Sequence, residues 1–165
     1  MDVLQQLHHF TQGEILQGKW MIGIAVIILF PMAFSLFQGN VSFQKGMAIP
    51  VCLLIAINII YGGYILYSRT KYLTQTEIEF RSHPQQTLDA ELQKAKADDQ
   101  SYTTLKYVWG GCAIVFIVLY LVVVKDFYKG LSLGFAVLFL GFLVIDLFFN
   151  RRLNLYMEEL NKLTI

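Results

Sequence analysis

Four long apolar blocks limit what this chain can fold into more than any other feature of its sequence. They cover residues 20–37, 47–68, 108–124 and 131–149, and none of them contains Lys, Arg or Glu. A helix crosses a hydrocarbon core of about 30 Å with roughly 20 residues, and about 17 suffice. The blocks are continuous and lack the alternation of polar and apolar residues that is typical of barrel strands. The sequence therefore predicts an all-α integral membrane protein with four transmembrane helices.

Composition supports a membrane location and argues against one class of partner. The chain of 165 residues is 56% hydrophobic, which exceeds the usual content of a soluble domain of this size. The excess apolar surface is expected to face a lipid bilayer. The formal net charge is +1, so the chain lacks the strongly basic surface with which proteins bind nucleic acid. We therefore expect contact with lipid and no nucleic-acid partner.

The positions of Lys and Arg predict the orientation in the membrane, because cytosolic segments carry an excess of these residues. Three of them, Lys45, Lys125 and Lys129, lie in the two short connections between the blocks of each pair. The remaining ten lie before the first block, between the second and third blocks, or after the fourth. Both termini and the long middle segment are therefore predicted to be cytosolic. We expect a multi-pass protein of the bacterial inner membrane.

The segments outside the blocks predict further helices. The N-terminal segment has a loose amphipathic pattern, typical of a helix that lies on the membrane surface or packs on other cytosolic segments. The middle segment predicts a cytosolic helical hairpin with its turn at Pro84, since proline disfavours helix at the residue before it. The predicted parts are an N-terminal segment (1–19), a transmembrane hairpin (20–68), the cytosolic hairpin (69–107), a second transmembrane hairpin (108–150) and an amphipathic tail (151–165).

Apolar residues recur at helical spacing in the cytosolic segments and predict packing surfaces there. The middle segment carries Leu88 and Leu92. The tail carries Tyr156 and Leu160 within a heptad-like seam that ends at Leu163. The first four of these residues are candidates for contact with a partner protein or with a second copy of the chain. The alternative is that each seam closes its segment onto a neighbouring helix.

The two short outer connections resemble each other. Residues 43–48 read Phe-Gln-Lys-Gly-Met-Ala, and residues 127–132 read Phe-Tyr-Lys-Gly-Leu-Ser. A shift of 84 residues aligns these two motifs, and it also aligns Gly62 with Asp146. An internal duplication would give two parallel repeats of the kind found in some transporters. The alternative is that any tight outer turn favours an aromatic residue at the interface, a lysine among the headgroups and a glycine at the bend.

Asp146 is the one ionisable carboxylate inside the four apolar blocks. A charged side chain there costs about 3 kcal/mol unless it is paired, protonated or hydrated, so Asp146 is expected to face the bundle interior. Tyr64, Gly110 and Gly111 are expected at a similar depth, around a small pocket open to the cytosol. Arg69 and Lys71 are available charge partners. The alternative is an interfacial carboxylate that reaches headgroup water or bonds to Tyr64.

Two residues of the second block complete a candidate intramembrane polar site. Asn58 lies near the middle of the block, where its amide is expected to find a partner on a neighbouring helix. Tyr61 lies deeper than an aromatic belt at the membrane interface requires, so we expect it to line a cavity. The candidate polar site therefore consists of Asp146, Asn58, Tyr61 and Tyr64.

The sequence predicts no catalytic, cofactor-binding or metal-binding residues. The histidines His8, His9 and His83 lie outside the apolar blocks, so no pair of them can ligate a haem between the spans. Cys52 is expected near the outer end of its span and Cys112 near the inner end of its span, so they cannot reach each other and are predicted to be packing residues. No phosphate-binding loop, paired-carboxylate motif or activated nucleophile is evident. We therefore expect neither a cofactor nor an enzyme.

Three functional hypotheses are compatible with these features. The first is a non-enzymatic membrane subunit or scaffold that contacts a protein partner, or copies of itself, through its cytosolic helices. The second is a small oligomeric channel or transporter that uses the pocket around Asp146, because four helices alone rarely enclose a path. The third is a membrane-embedded enzyme, for which Asp146 stands nearly alone as a polar group. Whether Asp146 faces water, protein or lipid distinguishes these hypotheses best.

Overall fold

The computed structural model describes residues 3–163, except for the side chains of the two end residues, Val3 and Leu163. Within this range the chain consists of helices and short connections, so the predicted all-α fold is confirmed. The helices are α1 (Val3–Ile24), a π-helical turn (Ala25–Leu29), α2 (Phe30–Gln38), α3 (Ser42–Ser82), α4 (Pro84–Val122) and α5 (Asp126–Leu163). The outer ends of the predicted segments 1–19 and 151–165, and the seam side chain of Leu163, lie outside the described part.

Four helical segments of the described chain are long and apolar enough to cross a membrane, as the sequence predicts. The segments are Leu4–Gln38, which includes α1, the π-helical turn and α2, and then Ser42–Ser82, Pro84–Val122 and Asp126–Lys162. Each covers one apolar block, except that Val123 and Val124 of the third block follow the end of α4, and each continues beyond its block into residues 3–19, 69–107 or 150–163. We call the four blocks the apolar half of the molecule. We call residues 3–19, 69–107 and 150–163 the polar half.

The N-terminal segment adopts the second of its two expected arrangements. α1 runs without a break from Val3 to Ile24, so the segment continues the first span and is not a separate helix on the membrane surface. Leu7, Thr11 and Glu14 on this segment are all buried. A helix lying on a membrane would leave Thr11 and Glu14 among the headgroups. Packing on the rest of the polar half buries them together with Leu7 instead.

One apolar core joins all four helices in the polar half. Its buried members are Leu7, Leu88, Leu92, Ala95, Leu153, Tyr156 and Leu160, and α3 adds the partly buried Tyr72, Leu73 and Phe80. α3 ends at Ser82 and α4 begins at Pro84, so the break lies where the sequence predicts it. Proline suits this position because the first residue of a helix has no intrahelical partner for its backbone N–H.

In the arrangement of the helices, α3 and α5 pack against each other, while α1 packs on α3 and α4 packs on α5. Two glycines allow the close approach of α3 and α5. A Cβ atom at Gly46 would overlap the carbonyl oxygen of Phe127, and one at Gly130 would overlap the carbonyl oxygen of Phe43. The two similar outer motifs therefore contact each other reciprocally. Such a contact is what a duplication predicts, and the duplication itself stays a prediction.

Candidate functional site

Asp146 has a hydrogen-bond partner on the adjacent helix α4. Its Oδ2 accepts a hydrogen bond of 2.8 Å from the indole Nε1 of Trp109, and the aspartate is half-buried. The available cation Arg69 is used elsewhere, because its guanidinium pairs with Glu14. A hydrogen bond from a neutral donor offsets part of the cost of a carboxylate in an apolar block. The hydrogen-bond partner of Asp146 in the described chain is therefore an indole, while Arg69 pairs with another carboxylate.

The residues expected to surround a pocket at Asp146 do not enclose one. Tyr64 is 62% exposed, and the hydrogen bond of Asp146 goes to Trp109 and not to this tyrosine. A Cβ atom at Gly110 or Gly111 would have no heavy atom within 4 Å, so both glycines lie on the open surface of α4. Similar depth along the membrane does not bring residues together, because the rotation of each helix about its axis decides which way a residue points.

Asn58 and Tyr61 have other neighbours than the sequence predicts. Asn58 is 5% exposed, and its Nδ2 donates a hydrogen bond of 2.8 Å to the carbonyl oxygen of Leu54 on the same helix. This hydrogen bond of the amide is therefore made within its own helix, whereas the sequence predicts a partner on a neighbouring one. Tyr61 packs edge-on against Phe149, with ring centroids 6.5 Å apart. Asn58 also lines a cleft between α1 and α5, which is described below.

The four residues expected to contact a partner belong to the chain's own core. Leu88, Leu92, Tyr156 and Leu160 are between 0% and 8% exposed. Tyr156 also stacks on Phe10 of α1, with ring centroids 4.4 Å apart. Their assignment as a docking surface is therefore corrected, since their side chains are not available at the surface. Four amphipathic helix ends that lie side by side bury their apolar faces against one another, which is the alternative stated above.

A buried ion pair connects α1 and α3 in the polar half, where the sequence shows no recognisable motif. Glu14 is 2% exposed, and its Oε1 lies 2.9 Å from a guanidinium nitrogen of Arg69. Within the described chain its Oε2 has no hydrogen-bond partner, and neither has the Oγ1 of Thr11 nearly one turn earlier. Burial raises the pKa of Glu14 to about 7, although the charges of Arg69 and Arg152 oppose the shift. Glu14 therefore titrates close to neutral pH.

A long cleft runs between α1 and α5. Its apolar part has a volume of about 690 Å³, lies mostly in the apolar half and reaches Asn58 on α3. Its polar part, of about 480 Å³, lies farther along the same two helices and is lined in part by His9, Arg151 and Arg152. Phe148 and Arg152 line both parts. The two parts therefore adjoin each other at these residues, and the polar part has a cationic lining.

Arg152 lies where the two parts of the cleft meet. Its Nη1 donates a hydrogen bond of 3.5 Å to the Oε1 of Gln17 on α1. Its guanidinium lies against Gly13, where an added Cβ atom would come within 2.9 Å of it. Arg151 is exposed. Neither arginine has a carboxylate within ion-pair distance in residues 3–163, so the polar part of the cleft carries two unpaired positive charges.

Neither the comparisons with known proteins nor the metal-ligating residue types assign a function to this chain. Comparisons with protein families, with curated proteins and with solved structures find no match. The part of the chain that the structure describes holds no group of three His, Cys, Asp or Glu residues that could bind a metal ion. The features left for a function are the outer surface of the polar half, Asp146 with Trp109, the Glu14–Arg69 pair, and the cleft between α1 and α5.

Proposed function

We propose that this chain is a non-enzymatic multi-pass membrane protein that acts as a subunit or scaffold and contacts a partner protein through the outer surface of its polar half. The observation that carries the proposal is the continuity of the helices. All four candidate spans continue into the polar half without a break and share one core there. The polar half is therefore held firmly to the part of the protein that spans the membrane.

The size of the polar half supports this role. At about 1.5 Å per residue, residues 69–82 of α3 amount to about 21 Å of helix, and so do residues 150–163 of α5. Residues 84–107 of α4 amount to about 36 Å. A surface of this length, supported by a shared core, loses little conformational freedom when a partner binds. Such preorganisation suits a protein whose task is to hold another protein in place.

The contact surface has to lie outside the core. On α4, Gln93, Lys96 and Gln100 are exposed and follow one another at spacings of three and four residues, so they share one helix face. The face is polar, as the solvent-accessible rim of a protein–protein interface is. We place the contact with the partner protein on this face of α4.

We further propose that the polar half lies in the cytosol of a bacterium, with the spans arranged as two transmembrane hairpins in the inner membrane. The bias of Lys and Arg toward the polar half supports this orientation. In a cysteine-free background, cysteines at Gln44 and Tyr128 should react with an impermeant reagent outside intact cells. Cysteines at Gln86 and Asn161 should react only after permeabilisation. The opposite labelling pattern would reverse the orientation.

Photo-crosslinking tests the contact with a partner. A photoreactive amino acid replaces Gln93 or Gln100 in the test variants and Ile114, an exposed residue of the apolar half of α4, in the control. Both test positions should give an adduct with the same protein, with the same ratio of partner to chain. The control should give lipid adducts. Lys96→Glu should weaken the purified complex. Recovery of the uncrosslinked chain alone from both test positions would contradict the proposal.

A small oligomeric channel or transporter is the second candidate. It is favoured by Asp146, a carboxylate within an apolar block whose hydrogen-bond donor is uncharged. Because α3 and α5 pack against each other, a path across the membrane would have to form between copies of the chain. Flux measured in reconstituted vesicles, for the wild type and for Asp146→Asn, tests this candidate. Vesicles with the wild-type protein that conduct none of the tested ions would count against it.

A further inference from the structure

The cleft between α1 and α5 is long enough for an acyl chain. Its apolar part follows α5 from Val137 to Arg152, which are fifteen residues and about 22 Å of helix apart. One leaflet of the hydrocarbon core is about 15 Å thick. The volume of about 690 Å³ lies within the usual range of ligand pockets, about 300–1,000 Å³. The apolar part can therefore hold a chain over the full depth of one leaflet.

The polar part of the cleft has an excess of positive charge. Arg151 and Arg152 follow directly after the last apolar block, and His9 faces them from α1. Glu159 is the one acidic residue that lines this part. Glu14 also approaches Arg152 from α1, but its carboxylate is engaged by a guanidinium of α3. Two arginines without ion pairs thus lie where the headgroups of a bilayer begin.

We propose that the cleft binds a phospholipid with an anionic headgroup. Its phosphate lies at Arg151 and Arg152, and one acyl chain fills the apolar part. Guanidinium groups bind phosphate oxygens through parallel hydrogen bonds, and basic pockets between transmembrane helices recognise anionic headgroups. Charge complementarity favours this occupant over a zwitterionic lipid. For a second copy of the chain to occupy the cleft instead, it would have to present an acidic group beside one narrow apolar segment.

The corresponding end of α3 provides a comparison within the same molecule. The shift of 84 residues that aligns the two outer motifs places Tyr67 and Ser68 at the positions of Arg151 and Arg152. The nearby surface depression is lined by six residues of α3, of which Lys71 is the one charged residue. The paired arginines therefore occur on one side of the molecule. This asymmetry predicts one tightly bound anionic lipid per chain.

Native mass spectrometry of the full chain in detergent tests the proposal, with phosphatidylglycerol as the anionic probe and phosphatidylcholine as the zwitterionic comparison. Arg151→Gln combined with Arg152→Gln removes the two charges of the cleft. The matched control, Lys71→Gln combined with Arg81→Gln, removes two exposed charges outside it. Gly141→Leu fills the apolar part without a change of charge, because the nearest heavy atom to a Cβ atom there is 4.0 Å away.

The wild type should retain one phosphatidylglycerol per chain and bind it more tightly than phosphatidylcholine. Each basic residue contributes about 1 kcal/mol to the binding of an anionic lipid, so loss of both arginines should weaken phosphatidylglycerol binding about 30-fold. It should also abolish the preference for phosphatidylglycerol over phosphatidylcholine. The control that lacks Lys71 and Arg81 should keep the preference, and Gly141→Leu should weaken the binding of both lipids alike. Thermal melting in lipid-free detergent shows that each variant is folded. If the double arginine variant is not, the exposed Arg151→Gln alone should weaken phosphatidylglycerol binding about fivefold.

Two results would overturn the proposal. One is equal retention of the two lipids by the wild type, or an unchanged preference in the folded arginine variant. The other is a dimer whose formation excludes lipid and is prevented by Gly141→Leu, because a second chain would then occupy the cleft. Neither result affects the proposed protein contact on α4, whose residues lie outside the cleft.

Discussion

Replacement of Glu14 by Gln should remove a large part of the pH dependence of this protein's stability. Burial raises the pKa of the Glu14 carboxyl from 4.5 to about 7. The charged groups around it are Arg69 on α3, Arg152 on α5, and Lys94 and Asp98 on α4. The folded chain therefore keeps a proton on Glu14 over a range of pH in which the unfolded chain has already released it.

The sign and the size of the effect follow from this difference in proton binding. Where the folded state binds more protons than the unfolded state, the free energy of unfolding decreases as the pH rises. Each pKa unit corresponds to about 1.36 kcal/mol, so the shift from 4.5 to about 7 corresponds to about 3 kcal/mol. This contribution of Glu14 is fully present below pH 4.5 and is lost as the pH rises through 7.

Reversible unfolding in bicelles, measured from pH 4.5 to above 7, tests the prediction for the wild type and for Glu14→Gln. The difference between the two free energies of unfolding should change by about 3 kcal/mol across this range. The control is Glu79→Gln, which removes an exposed glutamate of α3 and should leave the pH dependence of the wild type unchanged. A difference between wild type and Glu14→Gln that stays constant with pH would refute the reasoning.

Three further substitutions test the packing. Leu160→Ala should lower the free energy of unfolding, measured by chemical denaturation, by about 2–5 kcal/mol, because Leu160 is 0% exposed. The matched control Leu155→Ala, at an exposed position, should lower it by less than about 1 kcal/mol. Gly46→Ala should force α3 and α5 apart and lower the melting temperature, whereas Gly110→Ala on open surface should leave it unchanged or raise it. Asp146→Asn should change the unfolding free energy by less than about 1 kcal/mol, because an amide oxygen can accept the same indole hydrogen bond. Equal effects within either matched pair, or a large loss in Asp146→Asn, would contradict the packing described here.

Local features of the sequence are enough to predict the spans and the break between α3 and α4. A helix in lipid is constrained along its whole length, so each apolar block predicts a span whatever its neighbours are. The four candidate spans cover the four blocks except for Val123 and Val124, which follow the end of α4. Pro84 likewise acts on the backbone next to it, and α4 begins at this residue. Neither feature depends on how the helices pack.

The burial of Glu14 could be predicted only in part. Leu7, Thr11, Glu14 and Gly18 are spaced by four, three and four residues and are all buried, which is a heptad-like seam. A search for apolar periodicity misses this seam because only Leu7 in it is a large apolar residue. The burial of the carboxylate also depends on Arg69, which lies on another helix far along the chain. The ion-pair partner of Glu14 could therefore not be predicted from residues near it in the sequence.

The neighbours of Asp146 show a second limit. The sequence gives the depth of a residue along its helix, and depth alone placed Tyr64 and Gly110 beside Asp146. The rotation of α4 against α5 is set by packing over the whole contact, for example by the stacking of Phe116 on Phe139, with centroids 5.6 Å apart. That rotation places Trp109 at the carboxylate, although it lies 37 residues away in sequence. Such contacts are properties of the assembled helices.

Because the helices are continuous, the tilt of a span determines the position of the polar half. α3 has 41 residues and is therefore about 60 Å long, with one end in the apolar half and the other at the tip of the polar half. Spans adjust to a thicker or thinner bilayer by changing their tilt. A change of about 10° at one end of such a helix moves the other end by about 10 Å. A change in membrane thickness would thus reach the far end of the polar half as a displacement that grows with the length of the helix.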